Sequence, residues 1–203
     1  MATYAPQAAA TFATEILGLE HVPNKLEPFL FRSDSRFHTL CLSTAAAKSS
    51  IGIEINDEAD LDRAAKALAS AGLPAREATV DECAQRFVRR ALIVADATGN
   101  EIDLVLRPAQ SGRRYFPSRD AGVTGLQSVA LRSRAINDDL KLWTILGARV
   151  TDRAGEVTYL GIDQKHHRVV LYPSDRAGLV YVSYGVESMD AVMQSNYFVQ
   201  ERQ

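Results

Sequence analysis

The chain has 203 residues, enough for one large domain or two small ones, and its 46% hydrophobic and 24% charged residues imply a packed core rather than disorder. A count of 23 Lys and Arg against 25 Asp and Glu leaves a net charge of -2, which offers no electrostatic footprint for nucleic acid or for an anionic membrane. No apolar run approaches the ~20 residues of a membrane span, residues 1–14 lack the basic and apolar regions of a secretory signal, and Cys41 and Cys83 build no disulfide framework. A cytoplasmic enzyme or binding protein is the expectation.

The first segment, residues 8–19, is Ala-rich with Phe12, Ile16 and Leu19 at helical spacing, and predicts a helix ending near Gly18. Phe29, Leu30 and Phe31, then Leu40, Cys41 and Leu42, predict two strands parted by the polar turn at residues 33–36. Residues 51–55 alternate as a strand. Asn56 and Asp57 are cap candidates for a helix whose stripe is Leu61, Ala64, Ala65 and Leu68, closed by Gly72 and Pro74. Residues 91–95 and 102–106 predict strands joined through Thr98, Gly99 and Asn100, with Asp96 and Gly99 serving as turn chemistry. Residues 109–123, rich in Gln, Ser, Gly and Arg, predict a linker.

The second half repeats the order. Val129 to Leu131 predicts a strand, Asn137 caps a helix carrying Leu140, Leu142, Trp143 and Leu146, and strands follow at 159–162, 169–172 and 180–186. A last helix is expected over residues 189–203. Ile16, Leu17 and Gly18 align with Ile145, Leu146 and Gly147 at an offset of 129, and that offset also places Asp34 on Asp163, His38 on His167 and strand 51–55 on 180–184. Matches at one offset in one element order indicate a duplicated unit. Each half contains two β-α-β-β-β modules, so the expected class is α+β: four modules in two half-open barrels, the first and last incomplete. Residues 1–108 form the N-terminal pair, 109–123 the linker and 124–203 the C-terminal pair, whose last module would need about 34 further residues to mirror residues 75–108.

Paired β-α-β-β-β modules resemble the vicinal oxygen chelate superfamily, which includes glyoxalases and bleomycin resistance proteins. The chain looks like its two-domain type I extradiol dioxygenases, the 2,3-dihydroxybiphenyl dioxygenase group. The resemblance rests on Leu17, Gly18 and Leu19 followed by Leu30, Phe31, Arg32 and Asp34, and on the run from Asp96 to Val105. Gly125 and Leu126, Leu146 and Gly147, the Lys165-His166-His167-Arg168 run, and Gly178 and Leu179 ahead of Val186 to Asp190 complete it. It implies aromatic catabolism, with dioxygen inserted beside the two hydroxyls of a catechol. It also implies Fe2+ or Mn2+ held by two histidines and a carboxylate. Those histidine positions fall on Ser128 and Tyr181 here, and the carboxylate position lies beyond Gln203, so this chain is expected to hold no metal cofactor.

The resemblance places the family's second-shell histidine on His167, which makes it the candidate acid/base group. Tyr181, Ser128 and His166 are the pocket candidates. If His166 and His167 sit on a strand they face opposite sides and do not converge on one ion. His38, Trp143 and Tyr184 are expected to be structural, Cys41 a buried inert thiol, and His21 a solvated or capping residue at a helix end. The expected ligand is a small aromatic molecule, the expected state a homo-oligomer, and the alternatives to ring cleavage are aromatic binding without catalysis or a metal-free reaction.

Overall fold

The structure is a computed structural model that describes residues 1–23, 29–44 and 49–202. It is of α+β type, and the described residues form a three-stranded, a four-stranded and a five-stranded sheet, none of them closed. By contacts it forms two compact units: Met1–Ala47, Ala109–Gln127 and Ser183–Gln203 in one, Lys48–Pro108 and Ser128–Val182 in the other.

In the first unit, α1 (Pro6–Thr11) continues into a π-helical turn, Phe12–Ile16, where residues 8–19 had predicted one helix. Gly18 ends it with φ +75, and a Cβ there would meet the Arg119 carbonyl at 2.9 Å, so only glycine fits. The strands β1 (Glu20–Val22), β2 (Phe29–Arg32) and β3 (Leu40–Leu42) form an antiparallel sheet in that order. Ala13, Leu19, Phe31 and Leu42 are its core, with Leu40, Val123 and Tyr184 packed against them. Leu40 and Leu42 thus share the core face while Cys41 is half-buried rather than buried. His21 lies on β1, exposed against the Phe31 ring at 5.4 Å, and not at a helix end.

Residues 109–122 are irregular but tied down. Arg32, itself buried, donates to Ser111 and to the Arg113 carbonyl, Glu20 accepts from the Phe116 N–H at 2.8 Å, and Ser118 donates to the Leu19 carbonyl at 2.9 Å.

In the second unit, β4 (Ser50–Ile55), α2 (Glu58–Ser70), β5 (Ala75–Glu77), α3 (Val80–Arg86), β6 (Val88–Ala95) and β7 (Glu101–Pro108) form one module. Asp57 caps α2 by accepting from the Asp60 N–H at 2.8 Å. The next module runs β8 (Val123–Ser133), α4 (Ile136–Ile145), β9 (Arg149–Ala154), β10 (Val157–Gly161) and β11 (Val169–Pro173), followed by β12 (Leu179–Val186) and α5 (Met189–Gln200). Gln203, the last residue of the expected final helix, lies outside the described residues. β8 and β12 each contribute their remaining residues to the first unit.

The modules share one wiring. The sheet orders β4-β7-β6-β5 and β8-β11-β10-β9 both place the first strand beside the last, in parallel. The first module keeps a trace of this in the parallel bridge from Ala2 to Ser43, just past β3. The 129-residue offset also holds: it carries β2 into β10, β3 into β11, β4 into β12, and most of α2 into α5.

The second unit has one core, in which Leu61 and Leu68 of α2 and Leu142 and Trp143 of α4 pack with Leu104, Leu106, Leu131, Leu160 and Leu171 from the strands. Beside it sits a buried polar knot. Asp139, with no exposed surface, accepts from the Thr98 N–H at 2.8 Å, the Thr98 hydroxyl at 2.6 Å and the Ser133 hydroxyl. Helix α4 accordingly begins at Ile136 with Ala135 as its cap, not at Asn137. In the adjoining turn Asp96 accepts from the Gly99 and Asn100 N–H groups, each at 2.8 Å.

Two outcomes follow. Asp139→Ala leaves three buried donors without their acceptor and is expected to lower unfolding free energy by about 3 kcal/mol, against less than ~0.5 kcal/mol for Asp138→Ala on the exposed side, as read from urea titrations. In the first unit, burial and then the amino-terminal ammonium lower the His38 pKa below its usual 6.5. The unfolded chain therefore binds this proton first, so stability is full above pH ~6.5 and falls as pH drops toward the lowered value. His38→Gln should flatten that slope between urea titrations at pH 7 and pH 5, and an unchanged slope would contradict it.

Candidate functional site

Register decides which candidate side chains share a face. In the second unit, Tyr159 on β10 pairs with Val170 on β11, and Val170 pairs with Ala130 on β8. Residues along a strand alternate faces. Ser128, Ala130 and Arg132 therefore stand with Tyr159, Val170 and Tyr172, while Val129, Leu131, Leu160, Val169 and Leu171 turn to the hydrophobic core. Tyr181 on β12 joins the first set, since its ring meets that of Tyr172 edge-on with centroids 6.0 Å apart. Ser128 is buried and Tyr181 half-buried. Burial pushes the Tyr181 phenol above the usual tyrosine value, and Tyr172, its hydrogen-bond partner, and Tyr159 push it further. It is therefore neutral at pH 7. Tyr184, three residues on, packs against the first unit's core instead, where burial and then Tyr115 raise its phenol above the usual tyrosine value.

His166 and His167 depart from expectation. They are not on a strand: β10 ends at Gly161, β11 begins at Val169, and the irregular chain between carries both. Strand alternation therefore does not separate them. Their Nδ1 atoms are 3.0 Å apart and their ring planes stand at 88°. Tyr159 packs against the pair, 5.1 Å from the His167 ring and 6.3 Å from that of His166. His166 is exposed and His167 half-buried, and burial followed by the neighbouring His166 lowers the His167 pKa. His38 occupies the corresponding place two residues ahead of β3, so the duplication extends to these histidines, but both precede their strands rather than lie on them.

The loop that carries the pair is held at several points. The Asp163 carboxylate pairs with Arg168 at 2.8 Å and accepts from the Lys165 N–H at 2.8 Å, while the Asp163 carbonyl accepts from Arg149 at 2.7 Å. The Arg168 N–H donates to the Leu160 carbonyl at 2.8 Å. Gly161 makes the fold-back possible, because a Cβ there would meet Thr151 at 2.9 Å and the His166 carbonyl at 3.2 Å.

The positions that the resemblance assigns to iron or manganese do not fit such an ion. Ser128 supplies a neutral hydroxyl and Tyr181 a phenol held in its neutral form, where divalent iron takes imidazole and carboxylate. Among the described residues no three of His, Cys, Asp and Glu converge. Two shallow grooves of about 340 and 370 Å³ lie elsewhere, beside Arg76, Ile93 and Glu101 and beside Val80, Cys83 and Arg89, and neither includes a candidate residue.

Tyr159 and Tyr172 are the members of this face that residue-level reading passed over. Their signal was the alternation within residues 157–161 and 169–173, once the two strands are paired in register.

No protein-family model and no characterised protein matches the sequence. Solved structures do match in three dimensions. A halotolerant catechol dioxygenase, BphC, superposes with a TM-score of 0.83 at 21% identity, covering 95% of this chain and 70% of its own. A catechol 2,3-dioxygenase gives a TM-score of 0.88 at 18% identity, covering 100% of this chain and 73% of its own. A Mn(II)-bound glyoxalase from Novosphingobium aromaticivorans gives 0.83 at 19%, covering 97% and 67%. With its repeated modules and their first-beside-last strand order, the chain shares the fold of these structures, that of the vicinal oxygen chelate proteins.

Proposed function

We propose that this chain binds a small catechol-type aromatic molecule on the face lined by Tyr159, Tyr172, Tyr181 and His167, and that it does so without opening the ring. The observation that carries this reading is the gathering of those rings on one sheet face, with the Tyr172 and Tyr181 rings in edge-to-face contact. Aromatic rings prefer edge-to-face and offset partners, and neutral phenols offer hydrogen bonds to a diol without introducing charge. The solved relatives named catechol dioxygenases support the ligand class. Ser128 and Tyr181, standing where the resemblance puts the iron-binding histidines, argue against ring cleavage. His167 serves as a hydrogen-bonding group at the edge of this face.

None of the described helices is long and apolar enough to cross a membrane, in keeping with a cytoplasmic binding protein. Met189, Val192, Met193 and Tyr197 are exposed along one stripe of α5 and support self-association.

The untagged chain should bind 2,3-dihydroxybiphenyl saturably by fluorescence titration, and Tyr172→Ala or Tyr181→Ala should weaken binding roughly 5- to 10-fold. No oxygen uptake should follow addition of Fe2+ or Mn2+ with the catechol, and turnover would overturn the non-catalytic reading. Absence of binding would overturn the ligand assignment. Sedimentation velocity should show a dimer or higher species that Val192→Lys dissociates.

A further inference from the structure

We infer that His166 and His167 together bind one divalent transition-metal ion of the Cu2+ or Ni2+ kind through their two Nδ1 atoms. Neither histidine stands at a position that the resemblance assigns to iron or manganese, so this site is separate from the one the fold implies.

The geometry carries the inference. The Nδ1 atoms are 3.0 Å apart, and an ion about 2.0–2.1 Å from each would subtend an angle of about 95°. That is the cis angle of a square-planar or octahedral set and falls well short of a tetrahedral one, which favours Cu2+ and Ni2+ over Zn2+. Neutral imidazoles suit these ions, and Cu2+ heads the affinity order for such donors. In the free pair one Nδ1–H donates to the other Nδ1. On binding, that proton moves to Nε2 of its own ring, the donor ring turns so that both Nδ1 lone pairs face the ion, and each imidazole stays neutral.

The site is also organised in advance. Asp163 holds the loop through Arg168, Lys165 and Arg149, the glycine at 161 lets it fold back onto β10, and Tyr159 supports both rings from one side. Little ordering is left to be done on binding, which is where two-ligand sites on mobile chain lose affinity. His166 is exposed, so water completes the coordination. Arg149, Lys165 and Arg168 place positive charge nearby, with Asp163 as their counter-charge, and weaken the attraction for a cation.

The test is Cu2+ titration of the untagged chain by calorimetry, with electron paramagnetic resonance on the loaded protein. The expected result is one Cu2+ per chain with a tetragonal spectrum showing two nitrogen ligands. His166→Gln and His167→Gln should each weaken binding at least ~10-fold, while His21→Gln and His38→Gln leave it unchanged. His166 is exposed, so its substitution keeps the fold, and circular dichroism checks this; that variant decides the matter alone if His167→Gln unfolds. Undiminished binding in His166→Gln, or no saturable binding by ~1 mM Cu2+, would overturn the inference and leave the pair as a hydrogen bond only.

Discussion

The second unit depends on one buried carboxylate. Asp139 has no exposed surface, yet each of its bonds runs to a group that would otherwise be an orphan: the Thr98 N–H, the Thr98 hydroxyl and the Ser133 hydroxyl. The Thr98 hydroxyl in turn accepts from the Arg134 N–H at 2.8 Å. Asn100, also buried, donates to the Arg132 carbonyl and accepts from the Gly178 N–H. A turn between β6 and β7 is thereby bonded to the end of β8, the start of α4 and the approach to β12. Burying a charge without partners is costly, and burying it with several donors turns that cost into specificity of position.

The repeated wiring explains where the candidate face comes from. The two modules of the second unit each set the first strand beside the last in parallel, which leaves the helix on one side of the sheet and the alternate residues on the other. Leu131, Leu160, Val169 and Leu171 satisfy the helix side. The residues between them in register face the other way, and they include Ser128, Tyr159 and Tyr172 beside the buried Ala130 and Val170. A duplicated scaffold thus supplies a sheet face whose chemistry can change without disturbing the core that supports it.

Reading from sequence succeeded where periodicity is strong and failed where elements are short. The strands that became β2, β3, β4, β6, β7, β10, β11 and β12 were legible from alternation and turn residues. The short strand β5 and β9 were not, the latter because its residues are mostly exposed, half of them charged, and show no apolar period. Helix α3 is seven residues long, too short for a stripe, although Thr79 and Glu82 form the capping box that marks its start. The cap of α4 was misplaced because Asn137 is a good cap residue locally, whereas Asp139 is drawn into the buried knot and shifts the helix start to Ile136.

The sequence by itself determined the class, the module order and the 129-residue duplication, because hydrophobic period and turn chemistry are local properties that survive without knowledge of neighbours. The resemblance, and not the residue pattern, put its two histidine positions on Ser128 and Tyr181. Only the tertiary structure decided which side chains meet. Tyr159 and Tyr172 share a face with Tyr181 because β10, β11 and β8 pair in one register, and register depends on partners distant in the chain. His166 and His167 face each other because β11 begins only at Val169, leaving them in a loop that Asp163 and Gly161 hold in place. Alternation is a property of paired strand, and the pairing that would have imposed it stops before those two residues.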